Sequence, residues 1–147
     1  MLAKSLLLTL LILSPAAFHS DVDVPVIREH YSRWCMVRVN EENAVISEAE
    51  FKKVTAEAEA RNCSRLKDLK VDFARETLLH YRVRGDCFVH ATANVTRDDE
   101  LKKYTLRVTR RWGGCRAAGS FEGWMVIEKL REGYTVEQQM TEAKEKY

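Results

Sequence analysis

The sequence predicts an α+β domain, mostly antiparallel β, with one N-terminal helix packed on a β-sheet or sandwich and two disulfides. Three observations carry this expectation. Apolar and polar residues alternate through Thr77–Arg84, Cys87–Thr96 and Lys103–Arg110, as they do in strands with one buried face. A helix start is written at Ser47, with Glu50 three residues on. Four cysteines, Cys35, Cys63, Cys87 and Cys115, follow a secretory leader.

The leader comes first. Lys4 precedes the apolar run Leu6–Leu13, and Ser14-Pro15-Ala16-Ala17 supplies the small residues of a cleavage region between Ala16 and Ser20. That run is too short to span a bilayer. Residues 1–20 are therefore expected as a signal peptide and 21–147 as a single secreted domain, extracellular, or periplasmic in a bacterial host. The chain has 24 basic and 22 acidic side chains; only Lys4 lies in the leader, leaving 23 against 22. A balance so near neutral points to no nucleic acid and no membrane surface as partner.

Asp21–Glu29, polar and containing Pro25, reads as a loosely held arm, and Tyr31–Val39 as a strand. Asn40–Asn43 is a turn. Ser47 then caps a helix, with Ile46 and Phe51 placed for a hydrophobic staple and Phe51, Val54 and Ala58 along one face. Asn62 is a left-handed terminator. Leu69–Phe73 reads as a short strand, and Thr77–Arg84 as a longer one. A three-residue loop, Arg84-Gly85-Asp86, is expected to turn that strand into the next and set His80 opposite His90. The strand Cys87–Thr96 should pair with Lys103–Arg110 in the register Val95–Tyr104, Ala93–Leu106 and Ala91–Val108, which turns both apolar sets to one core. Continued outward, it brings Cys87 near Cys115, so a Cys87–Cys115 disulfide is expected, and Cys35–Cys63 by elimination. Trp124–Leu130, apolar on both faces at its start, reads as a central covered strand. Gly133 turns the chain into Tyr134–Met140, and 141–147 is a charged tail.

Candidate sites follow from this layout, each with a plainer explanation beside it. Trp112, Arg116, Phe121 and Trp124 lie in or bound a glycine-rich corner suited to recognition, or to a structural bend. Arg84-Gly85-Asp86 matches the tripeptide read by integrins, but three-residue matches are common and a charged glycine turn is the plainer explanation. His80 and His90 would begin a zinc site for a small metal-dependent hydrolase, but three or four ligands are needed and solvated histidines are commoner. Arg82, Arg84, Lys103 and Arg107, with Arg110, Arg111 and Arg116 near the corner, could meet a sulfated or acidic polyanion, although Asp86, Asp98, Asp99 and Glu100 lie close by. Asn62-Cys63-Ser64 and Asn94-Val95-Thr96 are glycosylation acceptors in a eukaryotic host. Ser120 lacks a nucleophile-elbow frame, and no motif for a metal or cofactor is present in the sequence. A non-enzymatic module binding an extracellular protein is the function expected.

The segment from Val71-Asp72-Phe73 through Gly85-Asp86-Cys87 and Trp112-Gly113-Gly114-Cys115-Arg116-Ala117 to Trp124 and Glu128-Lys129-Leu130 resembles small secreted bacterial β-domains. These are similar to the C-terminal domain of a protease-complex regulatory protein. The likeness covers roughly the last half of the chain, implies a protease-associated or inhibitor-like role, and carries over no catalytic residue. The order of one helix, long antiparallel strands and two disulfides is also similar to cystatin-like folds. The cystatin Gln-x-Val-x-Gly loop is absent from this sequence, so inhibition through that loop is not implied.

Overall fold

A computed structural model describes residues 21–33, 44–62, 65–86, 90–111 and 118–143. All four cysteines, and with them the expected disulfides, lie outside the described residues, as do Trp112 and Arg116.

The elements in chain order are β1 (Val22–Val24), β2 (Arg28–Arg33), β3 (Val45–Ile46), α1 (Glu48–Ala60), a 3-10 turn (Arg65–Asp68), β4 (Glu76–Asp86), β5 (His90–Asp98), β6 (Lys103–Arg111), β7 (Ala118–Glu128) and β8 (Thr135–Glu142). They build two four-stranded sheets. The first has the order β1-β5-β6-β8 and the second β2-β7-β4-β3. Pairing is antiparallel except between β6 and β8, which run parallel. The α+β, mainly antiparallel character expected of the sequence is what the chain adopts.

Two apolar layers hold the molecule together. Between the sheets, Leu79, Tyr81 and Val83 of β4 and Phe121, Met125 and Ile127 of β7 meet Ala91, Val95, Tyr104, Leu106 and Val108 of β5 and β6. On the other face of the second sheet, Ile46, Leu78, Trp124 and Val126 pack under Val54 and Ala58 of α1 and under Leu66 and Leu69. Strands β4 and β7 are therefore buried on both faces. This is why Trp124–Ile127 is continuously apolar and why β7 occupies the centre of its sheet.

The helix begins as its sequence dictates. The Ser47 hydroxyl accepts the Glu50 backbone N–H at 3.2 Å, and Asn62 takes the left-handed conformation (φ 55°) just past the last turn. Substituting Ser47 by alanine should cost about 1 kcal/mol of stability, read as a lower urea midpoint with unchanged slope.

Several expectations are corrected. The β5–β6 hairpin pairs Val95 with Leu106 and Ala93 with Val108, two residues from the predicted register. A two-residue turn at Asp99-Glu100 would need a glycine or asparagine able to take positive φ. The chain instead uses four residues, with the Asp98 carboxylate accepting the Glu100 and Leu101 N–H groups at 2.9 Å each and Lys102 at φ 50°. A shift of two keeps every side chain on its predicted face. β4 and β5 do not form a hairpin; they belong to different sheets, because β4 needs cover on both faces and finds it beside β7. The Asp21–Glu29 arm contains β1, paired to β5, and the start of β2. Leu69–Phe73 is irregular rather than a strand. The segment is fixed by side chains: Asp72 N–H donates to Glu76 Oε2 at 2.8 Å, Ala74 N–H to Asp72 Oδ1 at 3.1 Å, and Lys129 Nζ to the Phe73 carbonyl at 2.6 Å. β8 extends through Thr141 and Glu142, which the sequence assigns to the tail.

Candidate functional site

The residues singled out from the sequence are distributed rather than gathered. Phe121 and Trp124, expected at a recognition corner, are core side chains 2% and 0% exposed. Phe121 lies between the sheets and Trp124 beneath the helix. Arg84, Gly85 and Asp86 are not a hairpin tip between β4 and β5; they remain in β4, paired with Ser120, Gly119 and Ala118. His80 and His90 do not face each other. His80 is buried against the Trp124 ring at a centroid distance of 4.2 Å, and His90, exposed on β5, stacks on Phe121 at 5.2 Å. With the two imidazoles in separate sheets, the geometry for a shared zinc ion is lost. No group of three metal-ligating side chains occurs among the described residues. Asn62 and Asn94 are exposed.

The expected basic face divides in the same way. Arg82 and Arg84 lie in the second sheet, Lys103, Arg107, Arg110 and Arg111 in the first. Arg107 pairs with Asp21, Arg110 with Glu142, and Lys103 with Glu137 at 2.9 Å. The Lys103 ammonium holds the Glu137 carboxyl below its ordinary range. Asp99 is lowered by the Arg97 guanidinium, with the Tyr134 hydroxyl and Arg131 contributing. The ion pairs of this sheet thus match base with acid across its strands.

On the helix-facing side of the second sheet, polar side chains form two neighbouring rows. One is Ser32, Glu122 and Arg82; the other is His30, Trp124 and His80. Glu122 Oε1 accepts from Arg82 Nε at 2.7 Å and from Arg82 Nη2, with the two side chains 2% and 8% exposed. A carboxylate held in this way is a structural counter-ion. Burial pushes the His80 imidazole down to about 3, and the Arg82 charge adds to that. It remains neutral at physiological pH. His80 Nε2 has no hydrogen-bond partner, so no relay leads from it.

Among the described residues, hollows open elsewhere on the surface. A cleft of about 440 Å³ lies between the outer flank of α1 and the 67–73 segment. Phe51, Val71 and Phe73 give it an apolar floor, with the Phe51 and Phe73 rings 6.0 Å apart. Lys52, Lys67 and Lys70 stand on its rim with Glu48 and Glu59. Lys52 reaches Glu48 at 2.6 Å and Lys67 reaches Glu59 at 3.6 Å. A second hollow of about 500 Å³ adjoins it across Lys70 and Val71, bordered by Arg28, Asp68, Asp72 and Glu76. An apolar floor with a charged rim is the composition of recognition clefts. It offers contact area and ion pairing, without a nucleophile and base in register. The sequence pattern concealed this cleft, because Leu69, Val71 and Phe73 alternate as a strand would. The available signal was Asp72 followed four residues later by Glu76, since short acidic side chains bind nearby N–H groups and hold irregular turns.

Comparison with protein-family models, with curated proteins and with solved structures found no match.

Proposed function

We propose that the chain is a secreted, non-enzymatic protein-interaction module whose contact surface is the cleft between α1 and the 67–73 segment. One observation carries the reading. An apolar floor of Phe51, Val71 and Phe73, rimmed by Lys70 and by the Lys52–Glu48 and Lys67–Glu59 pairs, is built into a frame braced by Asp72, Glu76 and Lys129. A braced cleft loses little conformational freedom on binding, which favours affinity. The leader-like first twenty residues support secretion. An extracellular protein with an apolar anchor and an acidic group placed for Lys70 is the partner chemistry that suits this rim.

The test uses affinity capture from native extracellular fluid with the mature chain, compared with Val71→Asp and with Lys53→Glu, an exposed change on α1 away from the cleft. Val71 is half-buried at the cleft, so its variant should stay folded. The expected result is at least one protein retained by the mature chain and by Lys53→Glu and reduced about tenfold or more by Val71→Asp. Equal recovery with all three baits overturns the assignment of the surface.

A further inference from the structure

Two histidines occupy one row beneath the helix layer. His30 on β2 and His80 on β4 are the cross-strand neighbours of Trp124, one on each side. The His80 ring lies against the Trp124 indole, and Phe51 of α1 approaches the same indole at 6.5 Å. Both Nε2 atoms are buried with no hydrogen-bond partner. A neutral imidazole tolerates that position. An imidazolium carries an N–H donor on each nitrogen and a full charge, and here its Nε2 donor would be buried without an acceptor.

Asp68 apart, which acts on His30, the groups around the row do not supply the missing compensation. On β4 the same face carries Leu78, and Arg82, a like charge. On β7 it carries Val126 and Glu122, the latter already engaged by Arg82. On β2 it carries Arg28, paired with Glu76, and Ser32. β3 contributes Ile46, and α1 packs Phe51, Val54 and Ala58 over this layer. Asp68 of the 3-10 turn favours a charge on His30 alone.

We propose that His80, with His30 beside it, makes the helix layer an acid-sensitive latch: in mildly acidic solution protonation of the row releases α1 and the 3-10 turn from the second sheet while the core between the sheets stays closed. The separation of the two apolar layers permits a local opening. Val54, Ala58, Leu66 and Leu69 pack on one face of the second sheet, and Leu79, Tyr81 and Val83 face the other way. Subglobal openings of this kind are ordinary for a layer bounded by its own contacts.

The sign follows from proton binding in the two states. In the opened form His80 has the ordinary histidine value of about 6.5. In the closed form burial, and then Arg82, hold it at about 3, and burial lowers His30 as well. Between those values the opened form binds more protons, so closure weakens as pH falls through this window and is unaffected above it. His80 alone changes the closing equilibrium by up to about tenfold per pH unit.

Hydrogen exchange of the full mature chain, read by mass spectrometry from about pH 7.5 to about 5 and corrected for intrinsic exchange, tests the latch. Protection of 48–60 should fall by up to about tenfold per pH unit below about 6.5, with 103–111 unchanged. His80→Phe should flatten that dependence, and His80→Gln serves if the phenylalanine variant folds poorly. Loss of protection in both segments together overturns the proposal, as does an undiminished pH slope in the His80 variants. A His80 imidazole titrating near 6.5 by NMR in the intact chain overturns it too.

Discussion

Gly123→Ala is expected to lower stability by about 3 kcal/mol or more, a larger loss than overpacking by one methyl group usually causes. A Cβ at this position would stand 2.2 Å from Tyr81 Cζ, 2.3 Å from Cε1 and 2.5 Å from the hydroxyl. Tyr81 is the cross-strand partner of Gly123, and its ring occupies the space a side chain there would need. Such contacts are harmless when the obstructing atoms can swing away. Here they cannot, because Tyr81 is 1% exposed and packed among Leu79, Val83 and Phe121 between the sheets. The measurement is urea unfolding of Gly123→Ala, Tyr81→Val and the double variant. In the Tyr81→Val background the alanine should cost well under about 1 kcal/mol, since the clash is gone. A Gly123→Ala protein as stable as its parent would show that the ring does not rest where it is placed.

Glu122→Gln should cost about 3–5 kcal/mol, the usual penalty for removing one partner of a buried ion pair. The loss is chiefly that of the carboxylate charge facing the Arg82 guanidinium, whose side chain is 8% exposed. Arg82→Met should be similarly damaging, because it leaves the Glu122 carboxylate buried. Replacing both, by Arg82→Met with Glu122→Leu, should recover most of the loss. Two apolar side chains of similar size avoid the desolvation that the ionic pair must overcome. A double-mutant cycle by chemical denaturation gives the coupling directly. Single variants that lose less than about 1 kcal/mol would mean that water screens the pair.

The readable parts of the fold were those written in local pattern. Ser47, Glu50 and Asn62 mark the helix ends because capping is a matter of a few adjacent residues. The faces of β5 and β6 were legible because alternation survives a slip of two, even though the slip itself was missed. Sheet membership was not legible. His80, Arg82 and Arg84 look like the wet side of a hairpin strand, and nothing within Thr77–Arg84 announces that a helix layer covers its polar face. That one non-local fact separated His80 from His90, divided the basic residues between two sheets and buried Trp124. The cleft escaped for a related reason. Its shape depends on Asp72, Glu76 and Lys129 reaching across backbone, which periodicity does not encode.

The threading of the chain has a further consequence. Between β1 and β8 the polypeptide passes from one sheet to the other at β1–β2, β4–β5, β6–β7 and β7–β8. Neither sheet is contiguous in sequence, and the connection that joins the parallel β6–β8 seam runs through β7 in the opposite sheet. The molecule is stitched rather than stacked. Any cut between β1 and β8 divides the first sheet between two fragments, so the sandwich should assemble and melt as an indivisible unit, slowed by the long sequence separation of its paired strands.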